Sequence, residues 1–290
     1  MNIGSLEVRN TKDLFNRDTR FCNLVFSEAK RGKTTLAGSL DRFTRKYRGK
    51  PTLFIACEAA DGGGTATIEE MGVDYVIPTN HGELKGVIDA LKSDTKYGGV
   101  VFDNLTDAVE GIIKPYSLTF PSKEGQAVRA MGVPDRGDYQ SMGEFLRQQL
   151  APLVALTRHK NPDVRKDIVC CALVKEKMDK SGKAIEAIQP ALPGAMSTTA
   201  TAMFQTVSQL TVRARVVPNP DNPKENIRIY QRVLISDSDG VVVAGDRWKV
   251  MPREFVISSV TNEPIGFTEI YEQLWVPKLV SKEKEVGSNT

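Results

Sequence analysis

Short apolar runs and stretches of helical periodicity alternate along the first two-thirds of this chain. Cys22, Leu24, Val25 and Phe26 make a compact apolar run that predicts a buried strand. Leu36, Leu40, Phe43 and Tyr47 then recur at helical spacing, with Arg42, Arg45, Lys46 and Arg48 on the opposite side. Residues 51–57 (PTLFIAC) predict a second buried strand, ending at Glu58. The glycines at 62–64 mark a turn before a short helix at 66–71, and 73–77 reads as a short third strand. Leu84, Val87, Ile88 and Leu91 stripe the next helix, and GGVVFDN at 98–104 is a fourth strand closing on Asp103. Helical spacing resumes at Leu105, Ala108, Val109 and Ile112.

Such alternation argues for an α/β fold, a mostly parallel central sheet flanked by helices. Ligands of these sheets bind beyond the carboxyl ends of the strands, where Lys33, Glu58 and Asp103 are expected to converge. At 115–137 the pattern breaks into a stretch rich in Gly, Pro and charge, longer than a simple connection needs. A long helix follows, with Met142, Phe145, Leu146, Leu150, Leu153 and Val154 on one face, then a fifth core strand at 168–174. Beyond it lie a charged turn at 175–183 and a small-residue loop at 190–201. Strands at 207–216, 227–235 and 241–244 are joined by turns, so the sheet is expected to continue antiparallel at its C-terminal edge. Ile270, Tyr271 and Leu274 sit on a last short helix. The organisation predicted is a polar lead-in at 1–20, one domain at 21–276 and a charged flexible tail at 277–290.

Composition narrows the class rather than the function. A chain of 290 residues can bury one substantial core, and its 40% hydrophobic and 26% charged content is that of an ordinary globular protein. The longest apolar run, 168–174, is too short to span a bilayer, and the first ten residues lack the apolar core of a signal peptide. No membrane partner is expected, and the cytoplasm is the expected location. Cys22, Cys57, Cys170 and Cys171 fall in predicted strands without C-x-x-C spacing and read as small buried hydrophobes. His81 and His159 stand far apart, which argues against a zinc-type metal site. A net charge of +3 does not by itself imply a nucleic-acid partner. Residues 30–50 are nevertheless strongly basic, with Asp41 their single acid, which fits either a solvated face or a polyanion surface.

The candidate chemistry centres on Gly32-Lys33-Thr34-Thr35, between the first strand and the first helix. A phosphate-binding loop needs backbone N–H groups around the phosphates, a Lys on their outer oxygens and a Ser or Thr hydroxyl on Mg²⁺. Gly32, Lys33 and Thr34 fit the end of G-x-x-x-x-G-K-[ST]; Ser27 holds the first-glycine position, and Glu28, Ala29, Lys30 and Arg31 lie between. Ser27 thus stands where a glycine-only backbone could be needed, and Glu28 brings a negative charge toward the phosphates. The competing reading is a basic strand–helix turn. Asp103 either holds Mg²⁺ or caps the helix that begins at Leu105. Glu58 either orients and deprotonates an attacking water or is a surface carboxylate beside Asp61.

Strand–GKTT–helix, a strand ending in Glu58, and then GGVVFDN together resemble the RecA-like ATPase core. The resemblance implies ATP and Mg²⁺ as cofactors, Lys33 and Thr34 as ligands, Asp103 as the metal carboxylate and Glu58 as the catalytic glutamate. The segments IVCCALVKEKMDKSGK, IQPALPGAMST and AGDRWKVMPREF further resemble the phage RecA-like single-strand annealing ATPases, over roughly residues 20 to 255. Lys175 stands where many relatives have a histidine after the fifth strand, the γ-phosphate-sensing position. In such proteins two loops contact single-stranded DNA. By position these are 115–137, with Lys123, Arg129 and Arg136, and 175–198, with Lys175, Lys177, Lys180 and Lys183. Arg247 is expected to reach the nucleotide of an adjacent subunit, or else to pair with Asp246 or stack on Trp248.

The function expected is that of an ATP-dependent, single-stranded-DNA-binding recombinase or annealing protein with DNA-stimulated hydrolysis. It would work as a homo-oligomer, ring or filament, with a single-strand-binding protein as a further partner. The alternative is a nucleotide-gated DNA-binding or scaffold protein with little or no turnover, which Ser27 and Glu28 favour. A helicase-type motor is disfavoured by the small size and the lack of an appended domain.

Overall fold

A computed structural model describes residues 2–3, 6–7, 15–57, 67, 69, 71–120, 134, 136–193, 196–219, 222, 224–259 and 265–287. Strand β1 (Cys22–Ser27) is followed by helices α1 (Lys33–Gly38) and α2 (Leu40–Arg48). Next come β2 (Thr52–Ala56), β3 (Asp74–Val76), α3 (His81–Leu91) and β4 (Gly99–Asp103). Helix α4 (Leu105–Ala108) passes through a π-helical turn, Val109–Ile113, into Lys114–Ser117. Helix α5 (Arg136–Ala155) leads to β5 (Asp167–Met178), β6 (Ile185–Pro190) and α6 (Met196–Met203). Strands β7 (Thr206–Pro218), β8 (Asn226–Ile235), β9 (Gly245–Asp246) and β10 (Glu254–Ser259) follow. The chain closes with α7 (Phe267–Ile270), a π-helical turn Tyr271–Trp275 and α8 (Val276–Gly287).

The main sheet has the order β10–β8–β7–β1–β5–β4–β2–β3. From β7 to β3 every neighbouring pair is parallel; β8 and β10 add antiparallel strands at one edge. This is the mostly parallel α/β sheet with an antiparallel extension that the strand–helix alternation predicts. The antiparallel part starts one strand later than the turns suggest, because β7 itself pairs parallel with β1.

Alternate residues of each central strand serve opposite faces. Leu24, Phe26, Ile55, Phe102 and Cys170 pack under α3, α5 and α6, whereas Val25, Phe54, Val101 and Cys171 pack under α1, α2 and the C-terminal helices. All four cysteines are buried and free, and the adjacent Cys170 and Cys171 divide between the two faces. Burial pushes the Cys22 thiol up to about 11, so this sulfur is an inert core atom at neutral pH.

Several boundaries move for physical reasons. Strand β5 does not stop at Val174; it continues through Lys175, Glu176 and Lys177, where β6 supplies its hydrogen bonds. Glu176 and Lys177 of that extension are exposed, so their charge costs little there. Strand β7 likewise runs past its pairing with β1 and forms a two-stranded ribbon with β8. Within the expected loop 190–201, Met196 begins helix α6, with Met196 and Ala200 buried four residues apart. Pro115 is accommodated in the first turn of the Lys114–Ser117 segment, where a missing N–H is tolerated.

Neither end of the chain is wholly the polar appendage its composition suggests. Phe15 is buried between Trp248 and Trp275, with ring centroids 5.3 and 5.1 Å away. From Val276 onward the expected flexible tail is helical to Gly287, anchored by buried Leu279. Lys278 Nζ donates to the carbonyls of Trp248 and Lys249 at 2.7 and 3.0 Å. Among the described residues no helix is long and apolar enough to cross a membrane.

Candidate functional site

The carboxyl end of β1 carries the segment with most chemistry. Ser27 is fully buried and is the last residue of the strand, so it occupies extended backbone that any residue adopts. The left-handed positions fall later, at Lys30 (φ 60°) and Gly32 (φ 94°). Gly32 therefore meets a real backbone requirement, and no glycine is required at position 27. Glu28 points away from the loop interior into a pair with Arg31, whose Nε is 2.7 Å from Glu28 Oε2. Its charge is thereby partly neutralised on the solvent side.

Lys33 is buried, and its ammonium turns back into the loop. It donates to the Ser27 carbonyl at 3.4 Å, the Ser27 hydroxyl at 3.2 Å and the Glu28 carbonyl at 3.0 Å. These acceptors are all neutral. Among the described residues no acceptor takes the backbone N–H groups of Ala29 to Lys33. A buried cation with neutral partners, at a turn with spare N–H donors, is the donor set that a phosphate group satisfies.

Thr34 points the other way. Its Oγ1 donates to Asp103 Oδ2 at 2.7 Å. Asp103 is buried at the end of β4 and does not cap α4; that role belongs to Asn104, whose Oδ1 accepts the Asp107 N–H at 2.9 Å. A hydroxyl and a carboxylate held together beside a phosphate loop fit a divalent cation whose remaining ligands are phosphate oxygens and water. The residues present thus fit a nucleotide with Mg²⁺. Among the described residues no group of three or more His, Cys, Asp or Glu side chains could hold a metal ion. Strand β5 separates β1 from β4, and the Leu173 N–H on it donates to Thr106 Oγ1 at 3.0 Å, tying it to the turn after Asp103.

A cavity of about 350 Å³ opens beside the loop. Gly32, Thr35 and Ser39 contribute its polar edge, while Leu36, Met71 and Ile257 are among its apolar walls. Arg232, which the sequence reading did not single out, joins this lining from β8. Its alternation with Tyr230 and Arg228 was visible in the sequence, but not that it ends at the loop.

The other predicted residues are more dispersed. Glu58, Lys123 and Arg129 lie outside the described residues; Arg136 begins α5, and nothing is described of its side chain. Lys177 sits on the β5/β6 ribbon and pairs with Glu186 at 2.9 Å, while Lys180 and Lys183 are exposed at its turn. Lys175 Nζ donates to the Leu192 carbonyl, and burial lowers its pKa. Of the two aromatic rings beside the 115–137 segment, Tyr116 is stacked on His81 with centroids 3.9 Å apart, and Phe120 is exposed.

Arg247 is exposed, follows β9 and donates to the Ala202 carbonyl. Strand β9 pairs with Thr206 and Val207, level with Asn23 and Leu24 at the start of β1. That is about 13 Å down the strand from Ser27, at ~3.3 Å per residue. Asp246 instead accepts from the backbone N–H groups of Trp248, Val250 and Met251.

No family model matches the chain, and no curated protein matches it. Among solved structures it is similar to the flagellar accessory protein FlaH from Methanocaldococcus jannaschii, at 9% identity and a TM-score of 0.41, over 86% of this chain and 88% of that one. A likeness this loose decides nothing about the site.

Proposed function

We propose that this chain is a RecA-like, P-loop nucleoside triphosphatase that holds ATP on 27–35, with Thr34 and Asp103 as the residues that would hold Mg²⁺. The observation that carries this reading is the 2.7 Å contact of Thr34 with Asp103 beside a buried Lys33 whose acceptors among the described residues are all neutral oxygens. Lys33 would bind the outer phosphate oxygens, and the backbone N–H groups of the loop would surround the inner ones. Bound Mg²⁺ would supply neutralisation of charge on the transferring phosphoryl group. Glu58, next after Cys57, would orient the attacking water; the Cys57 N–H donates to the Asp103 carbonyl at 2.8 Å, so the chain reaches the height of the site there.

The finer reading is a protein that binds single-stranded DNA and assists annealing or strand exchange as a homo-oligomer. It is supported by the β5/β6 ribbon, which leaves the sheet at the phosphate-loop end and exposes Lys180 and Lys183 at its tip.

Titration with a fluorescent ATP analogue, followed by turnover measured with and without single-stranded DNA, tests both levels. Wild type should bind in a Mg²⁺-dependent manner, and Lys33→Ala should lose binding while remaining folded. Unchanged affinity in the folded variant rules out the phosphate-loop reading. DNA-stimulated turnover that weakens when Lys177, Lys180 and Lys183 are neutralised together supports the finer one; turnover indifferent to DNA removes it. Tight ATP binding without turnover instead selects the nucleotide-gated scaffold.

A further inference from the structure

Arg232 lies in the middle of β8, opposite Val212 of β7 and Ser258 of β10. The pairing of β8 with β10 shifts register between Arg232 and Val233 because Ile257 is an extra residue on β10, while the pairing of β8 with β7 runs unbroken through Arg232. Its residue face is that of Leu234, which packs with Leu36 and Leu40 on the side of the sheet covered by α1 and α2. The side chain is consequently brought to the phosphate loop. A Cβ placed on Gly32 would meet Arg232 Nε at 3.4 Å and Cζ at 3.8 Å.

The guanidinium makes little use of its donors. Its one hydrogen bond among the described residues is a long contact of 3.5 Å from Nη1 to Ser258 Oγ, and it forms no ion pair with a described acid. Other arginines of the region are engaged: Arg213 pairs with Glu254, Arg42 with Glu269 and Arg31 with Glu28. Arg232 also lines the cavity shared with Thr35, Leu36 and Ser39. It therefore stands where the loop meets the cavity, with Lys33 on the inner side of the same turn.

We infer that Arg232 is a nucleotide-binding residue acting within its own subunit, a second cation that grips the polyphosphate where it leaves the loop for the cavity. This rests on the phosphate-loop reading and goes beyond it, because no phosphate-loop pattern in the sequence includes a residue two hundred positions downstream. An Arg fork matches phosphate oxygens with paired donors, and a partner brought by the ligand uses donors that the protein leaves spare. Its location at the cavity mouth rather than over the far side of the loop makes the contact common to diphosphate and triphosphate.

The test is equilibrium binding of fluorescent ADP and ATP analogues to wild type, Arg232→Ala, Arg232→Lys and Lys33→Ala, with thermal melting of each ligand-free protein. Arg232→Ala is expected to melt like wild type and to bind both nucleotides about tenfold more weakly. Arg232→Lys should recover part of the loss, and the dependence of binding on salt should flatten in the alanine variant. Wild-type affinity in Arg232→Ala, while Lys33→Ala has lost binding, overturns the assignment and leaves the phosphate loop standing. A loss confined to ATP overturns the placement at the cavity mouth. Wild-type protein that binds neither nucleotide overturns the reading beneath both.

Discussion

Thr34 Oγ1 and Asp103 Oδ2 meet at 2.7 Å although 69 residues separate them in sequence. The contact joins the first turn of α1 to the end of β4, across the width of β5. Replacing Thr34 with Val keeps its shape and removes the hydroxyl. We expect the Mg²⁺ dependence of ATP affinity to collapse in Thr34→Val and in Asp103→Asn, with turnover reduced at least about 100-fold in the latter. Isothermal titration with and without the metal checks the first effect, and phosphate release the second. Retained metal dependence in both variants would remove Thr34 and Asp103 from the metal site.

Arg247 is barred from its own phosphate loop by its place at the opposite end of β1. A role in turnover is then open to it only across a head-to-tail interface between copies. Activity per protomer should rise with protein concentration. Arg247→Ala and Glu58→Gln, each inactive alone, should regain part of the turnover when mixed, because mixed interfaces pair an intact Glu58 with an intact Arg247. Concentration-independent activity and an inactive mixture would leave Arg247 as the local tether of Ala202.

Asp167 is expected to be a principal determinant of stability. Its buried carboxylate accepts from the Phe21 N–H at 2.7 Å and from Arg48 Nε at 2.9 Å, with Arg20 Nη1 3.7 Å away. Asp167→Ala strands two largely buried guanidinium groups and should cost roughly 3–5 kcal/mol, read from urea denaturation. Asp163→Ala, which removes an exposed partner of Lys50, should stay within about 0.5 kcal/mol.

His81 gives the fold a pH dependence. Gln149 Nε2 lies 3.1 Å from His81 Nε2, a contact that a neutral imidazole makes by accepting at Nε2. Burial, and then the charge of Lys85, hold its pKa below the ordinary value. A histidine depressed in the folded state contributes stability that is complete above its unfolded pKa of about 6.5 and is lost as pH falls through the folded pKa. The melting temperature should therefore drop as pH falls below about 6.5, and His81→Phe should flatten that part of the profile. An identical slope in the variant assigns the loss to carboxylates elsewhere.

The loop from Ser27 to Thr35 and the acid ending β4 were legible because both are local signals: a short apolar run, a glycine and a hydroxyl within a few positions. That Asn104 rather than Asp103 caps α4 could not be read locally, since either side chain could accept the same backbone N–H. Arg232 was illegible for a different reason. Its meaning depends on the register of β8 against β7 and β10, which long-range pairing sets and no neighbouring residue announces. Phe15 was hidden in a polar segment, where a single aromatic gives no period; two tryptophans more than two hundred positions away explain its burial. The charged continuation of β5 misled because charge marks solvent exposure, and an exposed strand with a partner is still a strand.

That strand has a mechanical consequence. The first half of β5 is the spacer whose width sets the gap between the strand carrying the loop and the strand carrying Asp103. Its second half, unbroken to Met178, pairs with β6 and is exposed from Glu176 onward. Because spacer and ribbon are one continuous strand, a ligand that grips Lys180 and Lys183 at the ribbon tip is expected to change ATP affinity, read by titration with and without that ligand.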